Sequence, residues 1–257
     1  MPRANRYFLP GHVWHITHRC HKKEFLLKFV RDRKRWRHWL YQAKKRYGLS
    51  VLNFIITSNH IHLLVRDRGR GEIVKSMQLI AGRTAQEYNQ RKKRNGAFWE
   101  DRYHATAVDT EDYLARCMVY IDLNMVRAGV VSHPDDWCWS GYYEIQKPAQ
   151  RYAIIDTNAL IELFAVNQFE QYQQIHQGWI EEALKSEHDQ RMSIWTQNIA
   201  VGSQDYLANV KSSLGITGRY RAVVTEGDVT TLKEPDTPYI IDLGGEKVVL
   251  SDDAAVI

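Results

Sequence analysis

Two apolar runs near residue 55 set the pattern of the chain. Val51-Leu52-Asn53-Phe54-Ile55-Ile56 is β-branched and apolar, Thr57-Ser58-Asn59 interrupts it, and His60-Ile61-His62-Leu63-Leu64-Val65 resumes it. This predicts two strands joined by a tight turn. Residues two apart on a strand share a face, so His60 and His62 project together with Ile61 opposite. Upstream, Tyr7-Phe8-Leu9 and then residues 12–20 predict an opening strand around Pro10-Gly11. Val13, His15 and Thr17 fall on one of its faces and Trp14, Ile16 and His18 on the other. Its β-branched and aromatic content predicts a central position, with His15 and His18 as half-buried structural histidines. The spacing of Phe29, Trp36, Leu40 and Ala43 predicts a basic helix over about 29–47, stopped by Gly48. Ile73, Met77, Ile80, Ala81, Thr84 and Tyr88 predict a second over about 72–92. Phe98-Trp99 and residues 103–108 resume in strand-like fashion. Thr110-Glu111-Asp112 then opens a helix carrying Tyr113, Arg116, Cys117, Tyr120 and Asn124. The order of elements predicts an α+β sandwich.

Beyond residue 150 the character changes. Helices are expected from Asp156-Thr157, over about 169–185, around 190–199 and over about 205–214. The last stretch, with Gly227, Pro235, Pro238 and Gly244-Gly245, reads as loose strands and a tail. The expected organisation is a first domain over 1–145 and a mainly helical accessory region over 146–257.

Charge sharpens the picture. Residues 1–104 hold 24 Lys and Arg against 7 Asp and Glu, whereas the remainder holds 11 against 23. A segment this basic beside a histidine pair points to a polyanion, most simply nucleic acid. The natural phosphate clamps are Arg31, Arg35 and Lys44 of the first helix, the loop residues Arg66, Arg68 and Arg70, and the knot Arg91, Lys92, Lys93 and Arg94. Arg3 and Arg6 would form an N-terminal arm. Phe98 and Trp99 could stack on an unpaired base or pack in the core. No stretch approaches the ~20 apolar residues that span a bilayer, and the N-terminus lacks the apolar run of a signal peptide. Three cysteines without C-x-x-C spacing fit a reducing cytoplasm, with neither a disulfide framework nor a zinc knuckle.

Two imidazoles on one strand face suit a divalent ion, and they equally suit ordinary hydrogen bonds. Tyr120 and Asn124, four apart, share a helix face. A phenol titrates near pH ~10 and is a weak nucleophile at neutrality. Beside a metal held by His60, His62 and a helix ligand, Tyr120 could displace a sugar 3′-oxygen and form a 5′-phosphotyrosine. Otherwise it is a tyrosine packed on the sheet. Mg²⁺ or Mn²⁺ suits imidazole mixed with an amide oxygen and water.

Several stretches carry a family resemblance. Residues 58–65 resemble the HUH motif (His, hydrophobic, His) of single-tyrosine transposases. Tyr120-Ile121-Asp122-Leu123-Asn124-Met125-Val126-Arg127-Ala128-Gly129 is similar to that family's Tyr-Ile-x-x-Asn-Pro-Val-Arg-Ala-Gly signature. Trp137-Cys138-Trp139-Ser140-Gly141-Tyr142 resembles its Trp-Pro-Trp-Ser-Ser-Tyr segment, and residues 10–17 resemble its Pro-Gly-x-x-x-His-x-Thr strand. Within this IS200-like family the resemblance extends to the branch of REP-associated tyrosine transposases. The resemblance implies a ferredoxin-like antiparallel sheet with helices, binding of a DNA hairpin, and cleavage of single-stranded DNA beside it. It implies Tyr120 as nucleophile, His60 and His62 as metal ligands and Asn124 as the third. Met125 and Cys138 stand where the family usually has proline, and the first substitution leads us to expect a longer helix and a shifted Asn124. Other readings are a catalytically retired hairpin-binding or regulatory protein and an RNA-hairpin binder; a zinc hydrolase lacks an H-E-x-x-H pattern. The sequence is compatible with a monomer and with a homodimer.

Overall fold

The computed structural model describes residues 8–110, 112–185, 194–218, 221–227, 229–233, 240–242 and 247–249. Its framework is an antiparallel sheet in which β1 (Val13–Arg19) lies between β3 (His60–Arg66) and β4 (His104–Val108). Strand β2 (Ser50–Ile56) flanks β3. Helix α1 (Val30–Tyr47) connects β1 to β2, and α2 (Glu72–Lys92) connects β3 to β4. The spatial order β2-β3-β1-β4 with βαββαβ connectivity is the ferredoxin-like arrangement. The apolar runs explain it: Ile16, Phe54, Ile55, Ile56, Ile61, Leu63, Leu64 and Val65 are all fully buried. These strands are covered on both faces.

Helix α1 buries Trp36, Leu40 and Ala43, and Gly48 ends it in the left-handed conformation (φ 71°) that glycine adopts without a Cβ clash. Helix α2 buries Ile73, Met77, Ile80 and Thr84, largely the stripe that its periodicity predicts. Trp99 stacks on His18 at 4.0 Å and donates from Nε1 to the Ala81 carbonyl of α2. The Trp14, Ile16 and His18 face of β1 is therefore the one beneath α2. The opposite face, with His15 and Thr17, receives α3 (Asp112–Asp122).

Three local expectations change. Phe8 and Leu9 are not in a strand, because Gly11 turns the chain at φ 84° and the His12 N–H bonds the Leu9 carbonyl; Tyr7 lies outside the described residues. Phe98 and Trp99 make a single bridge, Cys20 to Trp99, and Phe98 is a core residue. The tyrosine helix is not lengthened by Met125. It breaks at Leu123 (φ −78°, ψ 2°) and continues as α4 (Asn124–Arg127). Bonds from Leu123 N to Val119 O and from Arg127 N to Leu123 O bridge the break, so Asn124 stays one turn beyond Tyr120.

Helix α5 (Gly141–Gln146), which no sequence expectation covered, precedes the C-terminal region, which contains the expected helices α6 (Thr157–Leu163), α7 (Phe169–Lys185), α8 (Ile194–Gln197) and α9 (Gln204–Ser213). Asp156 caps α6 by accepting from the Ala159 N–H. At the start of α5, a Cβ on Gly141 would lie 2.1 Å from Asn53 Oδ1, so only glycine lets this turn lie against β2. The same region also extends the sheet. Strand β5 (Ala200–Val201) pairs in parallel with β4, β7 (Val229–Lys233) pairs with β5, and β6 (Ala222–Glu226) with β7, giving seven strands. In a separate two-stranded sheet, β8 (Ile240–Asp242) pairs antiparallel with β9 (Lys247–Val249).

The charge asymmetry is partly settled inside the molecule. Arg66 forms a two-pronged pair with Glu162 at 2.8 and 2.9 Å, Arg68 meets Asp156 at 2.7 Å, and Arg37 meets Glu144 at 3.2 Å. Deeper down, His176 of α7 bonds Asp122 of α3 at 2.8 Å with both side chains fully buried, and Asn53 donates to the other Asp122 oxygen at 2.9 Å. Removing one partner leaves a buried carboxylate short of a bond, so His176→Ala should cost about 3 kcal/mol. Urea denaturation compared with wild type measures it, and a loss within experimental error would show that this contact does not hold α7 to α3.

Candidate active site

His60 and His62 open β3, where His62 pairs with Thr17 and His60 with Arg19 of β1. Their rings lie 5.1 Å apart on the face that α3 covers. Helix α3 brings the Tyr120 ring to 5.6 Å from that of His62 and 6.0 Å from that of His15, edge-on to both. Tyr120 is only 5% exposed. Asn124 donates from Nδ2 to His62 Nε2 at 3.1 Å. The four residues singled out for chemistry are thus gathered on one side of the sheet. The Arg127 guanidinium lies 4.5 Å from the centre of the Tyr120 ring and donates to the Tyr120 carbonyl, a cation–π arrangement that pins the helix turn.

Around the histidines lies an outer ring of partners. His60 Nδ1 is 2.7 Å from Asn59 Oδ1 and 3.0 Å from Thr57 Oγ1. His62 Nδ1 is 2.8 Å from His15 Nε2, and His15 Nδ1 is 2.8 Å from the Trp195 carbonyl. His15 and Trp195 are both fully buried, and the Trp195 ring lies 6.3 Å from that of Tyr120. Helix α8 therefore roofs the tyrosine. Burial pushes the His15 imidazole down to a pKa of about 4. Sequence reasoning read His15 as half-buried and structural; its shared face with Thr17 was the available signal. Trp195 had none, being 180 residues from its partner. Among the described residues no three His, Cys, Asp or Glu side chains cluster as a metal site. The donor set here is two imidazoles and an amide, which suits a divalent ion that also keeps water and oxygen ligands.

The basic candidates lie elsewhere. Helices α1 and α2 cover the face away from Tyr120. Arg35 there holds Glu87 with two bonds of 2.7 Å, and Arg91 holds Asp32. Lys44 donates to the Ala153 and Ile155 carbonyls, and Arg94 to the Ala97 carbonyl. Arg66 and Arg68 are paired with Glu162 and Asp156 as described. The Lys92 ammonium lies 5.4 Å from the centre of the exposed Phe29 ring, and Arg31, Arg70 and Lys93 are exposed. Arg3 and Arg6 lie outside the described residues.

One surface next to the histidines was missed. The segment 20–29 is bonded to the turn before His60 through Cys20 N to Asn59 O, Leu27 N to Ser58 O, and Asn59 Nδ2 to Lys23 O. It exposes Phe25 (64%) and Phe29 (56%) among the exposed Lys22, Lys23 and Lys28. Aromatic residues interleaved with lysines are the signal: Phe25 follows neither strand nor helix spacing, and Phe29, which helical spacing assigns to the apolar stripe of the first helix, instead precedes α1 and is exposed.

The depressed His15 pKa has a consequence for stability. Below pH 6.5 the unfolded chain takes up a proton that the folded state refuses, so this contribution is complete above about pH 6.5 and is lost as pH falls toward 4. Wild type should lose on the order of 3 kcal/mol more than His15→Gln between pH 7 and pH 4. Denaturation midpoints of both proteins at the two pH values test this, and parallel losses would show that His15 does not resist protonation.

Residues 10–124 match the family model described as IS200-like transposase. No curated protein matches the chain. Among solved structures, the chain is similar to a REP-associated tyrosine transposase bound to a REP hairpin, at 17% identity and TM-score 0.49, covering 61% of this chain and 94% of that one. It is also similar to a candidate transposase from Deinococcus radiodurans R1, at 14% identity and TM-score 0.34, covering 46% and 95%. The segment that matches the IS200-like transposase model, just under half of the chain, holds the ferredoxin-like framework, the histidine strand and the tyrosine helix through Asn124.

Proposed function

We propose that this chain cuts and rejoins single-stranded DNA beside a hairpin through Tyr120. The observation that carries the reading is the meeting of Tyr120, His60, His62 and Asn124 on one sheet face. The Tyr120 phenol oxygen attacks the phosphorus, forming a Tyr–O–P bond as the P–O3′ bond breaks. The phenol gives up its proton and the departing 3′-oxygen gains one, so the bond count is conserved and a free 3′-hydroxyl can reverse the step. His60, His62 and Asn124 would hold Mg²⁺ or Mn²⁺, which when bound polarises a phosphoryl oxygen. The chain's own groups orient the nucleophile: Arg127 fixes the turn that bears it, and His15, His62 and Trp195 enclose its ring. In this reading residues 1–145 are the catalytic and DNA-binding part, and 146–257 the accessory part that completes the tyrosine's enclosure.

For the nucleic acid, Arg31, Arg70, Lys92 and Lys93 are exposed phosphate contacts. Arg35, Lys44, Arg66, Arg68, Arg91 and Arg94 would exchange their internal partners for phosphate. Phe25 and Phe29, exposed on the segment bonded to the turn before His60, suit stacking on unpaired bases. The burial of Tyr120 beneath Trp195 favours a second reading, a retired hairpin-binding protein in which the tyrosine only packs.

A labelled single-stranded hairpin from the DNA flanking the gene, incubated with Mn²⁺ and run on a denaturing gel, separates the two. A protein-linked band is expected for wild type and is expected to vanish in Tyr120→Phe with hairpin binding kept. Tight binding without any covalent band establishes the retired protein. His60→Ala and His62→Ala should each lose cleavage, and normal cutting by either would mean that the metal site is misassigned. Phe25→Ala and Phe29→Ala should each weaken single-strand binding by about 1–3 kcal/mol. The slope of log affinity against log salt should stay unchanged, since no phosphate contact is lost; unaltered binding would remove the stacking role.

A further inference from the structure

The partners around His60 and His62 decide which ring nitrogens carry protons. The Trp195 carbonyl oxygen has only lone pairs to offer, so His15 Nδ1, 2.8 Å away, donates to it. A neutral imidazole carries one N–H, which leaves a lone pair on His15 Nε2. His62 Nδ1, 2.8 Å from that lone pair, must then be the donor. The second His62 nitrogen, Nε2, accordingly holds a lone pair, in agreement with the Asn124 amide donating to it at 3.1 Å. The rings of His15 and His62 lie within 4° of parallel, an orientation compatible with an in-plane N–H···N bond.

The same logic governs His60 through different groups. Thr57 Oγ1 uses its single proton on the His60 carbonyl at 2.8 Å and accepts from the His60 and Asn59 backbone N–H groups. Asn59 Oδ1, 2.7 Å from His60 Nδ1, can only accept, its Nδ2 being turned to the Lys23 carbonyl, and Thr57 Oγ1 lies 3.0 Å from the same ring nitrogen. His60 Nδ1 therefore carries the proton, and Nε2 the lone pair. Two unrelated sets of neighbours arrive at one tautomer.

We propose that His15, anchored by the Trp195 carbonyl, and the Thr57–Asn59 turn are positioning groups that hold His62 and His60 as Nδ1–H tautomers, so that both present Nε2 to a divalent ion. This rests on the metal reading of the site. It assigns the region around Trp195 a part in the chemistry, because a backbone carbonyl of α8 stands at the head of the bond chain that ends at a ligand nitrogen. Such outer partners fix ring orientation and raise ligand basicity, and losing one lowers metal affinity about 10–100-fold.

The test has two readouts. Long-range ¹⁵N–¹H correlation spectra of the metal-free wild-type protein at pH 7 report each tautomer directly. Protons on Nδ1 of His15, His60 and His62 are expected, and a proton on Nε2 of neutral His60 or His62 overturns the proposal. These wild-type spectra decide the matter even where a variant fails to fold. Mn²⁺ titration followed by electron paramagnetic resonance then compares variants. His15→Phe, which keeps the ring but no acceptor, should bind Mn²⁺ about 10–100-fold more weakly. His15→Gln, whose amide oxygen can accept from His62, should recover most of that loss, and metal-free hairpin affinity should be equal in all three. Wild-type Mn²⁺ affinity in His15→Phe overturns the positioning role. Expected tautomers in a wild-type chain that takes up no Mn²⁺ would overturn the metal reading instead and leave the bond chain standing.

Discussion

Everything at the candidate site hangs on the register between β1 and β3. Thr17 opposite His62 and Arg19 opposite His60 place both histidines on the face of β1 that carries His15. Because side chains alternate, a slip of one residue would turn His60 and His62 toward α1 and α2 and bring Ile61 and Leu63 beneath Tyr120. That slip would strand polar rings in one layer and leave the tyrosine over aliphatic carbon. The buried aliphatic residues of β3 oppose it, since Ile61, Leu63 and Val65 are fully buried where they stand. Packing energy on one face thus fixes the position of chemistry on the other.

The two faces of the sheet divide the labour. One carries the basic helices α1 and α2; the other carries α3, α8 and the buried His15 and His62. Acidic residues from the second half of the chain meet some of the basic ones at the surface, as Glu162 meets Arg66 and Asp156 meets Arg68. Partly exposed pairs of this kind contribute little to stability. Their effect is to set which cations are already engaged, and so the high formal charge of the first hundred residues overstates the positive surface that a polyanion would find.

What the sequence made legible was local. Alternation placed β2 and β3, helical spacing placed α1, α2 and α7 almost to the residue, and a two-residue period put His60 beside His62. Tyr120 and Asn124 were legible through helix geometry even though Leu123 interrupts the helix. Contacts between distant segments were not. Ala200–Val201 is too short a strand to show a period, yet it is the edge through which the last third of the chain joins the sheet. Trp195 meets His15 through a backbone carbonyl, a group every residue possesses, so no side-chain pattern could announce it. Asn53 sits beside a register shift in β2, and its apolar neighbours masked the buried bond it makes to Asp122.

The parallel pairing of β5 with β4 also has a consequence in time. Residues 107 and 108 must wait for residues 200 and 201, and His15 must wait for Trp195. Contacts this far apart in sequence form late, because a long loop must close before they are rewarded. On the ribosome, the ferredoxin-like framework can form while the last third is still being made. The tyrosine is therefore assembled on its sheet before it is roofed. A chain cut short before α8 would carry every residue named for bond breaking and still present a different, more open face to DNA than the finished protein does.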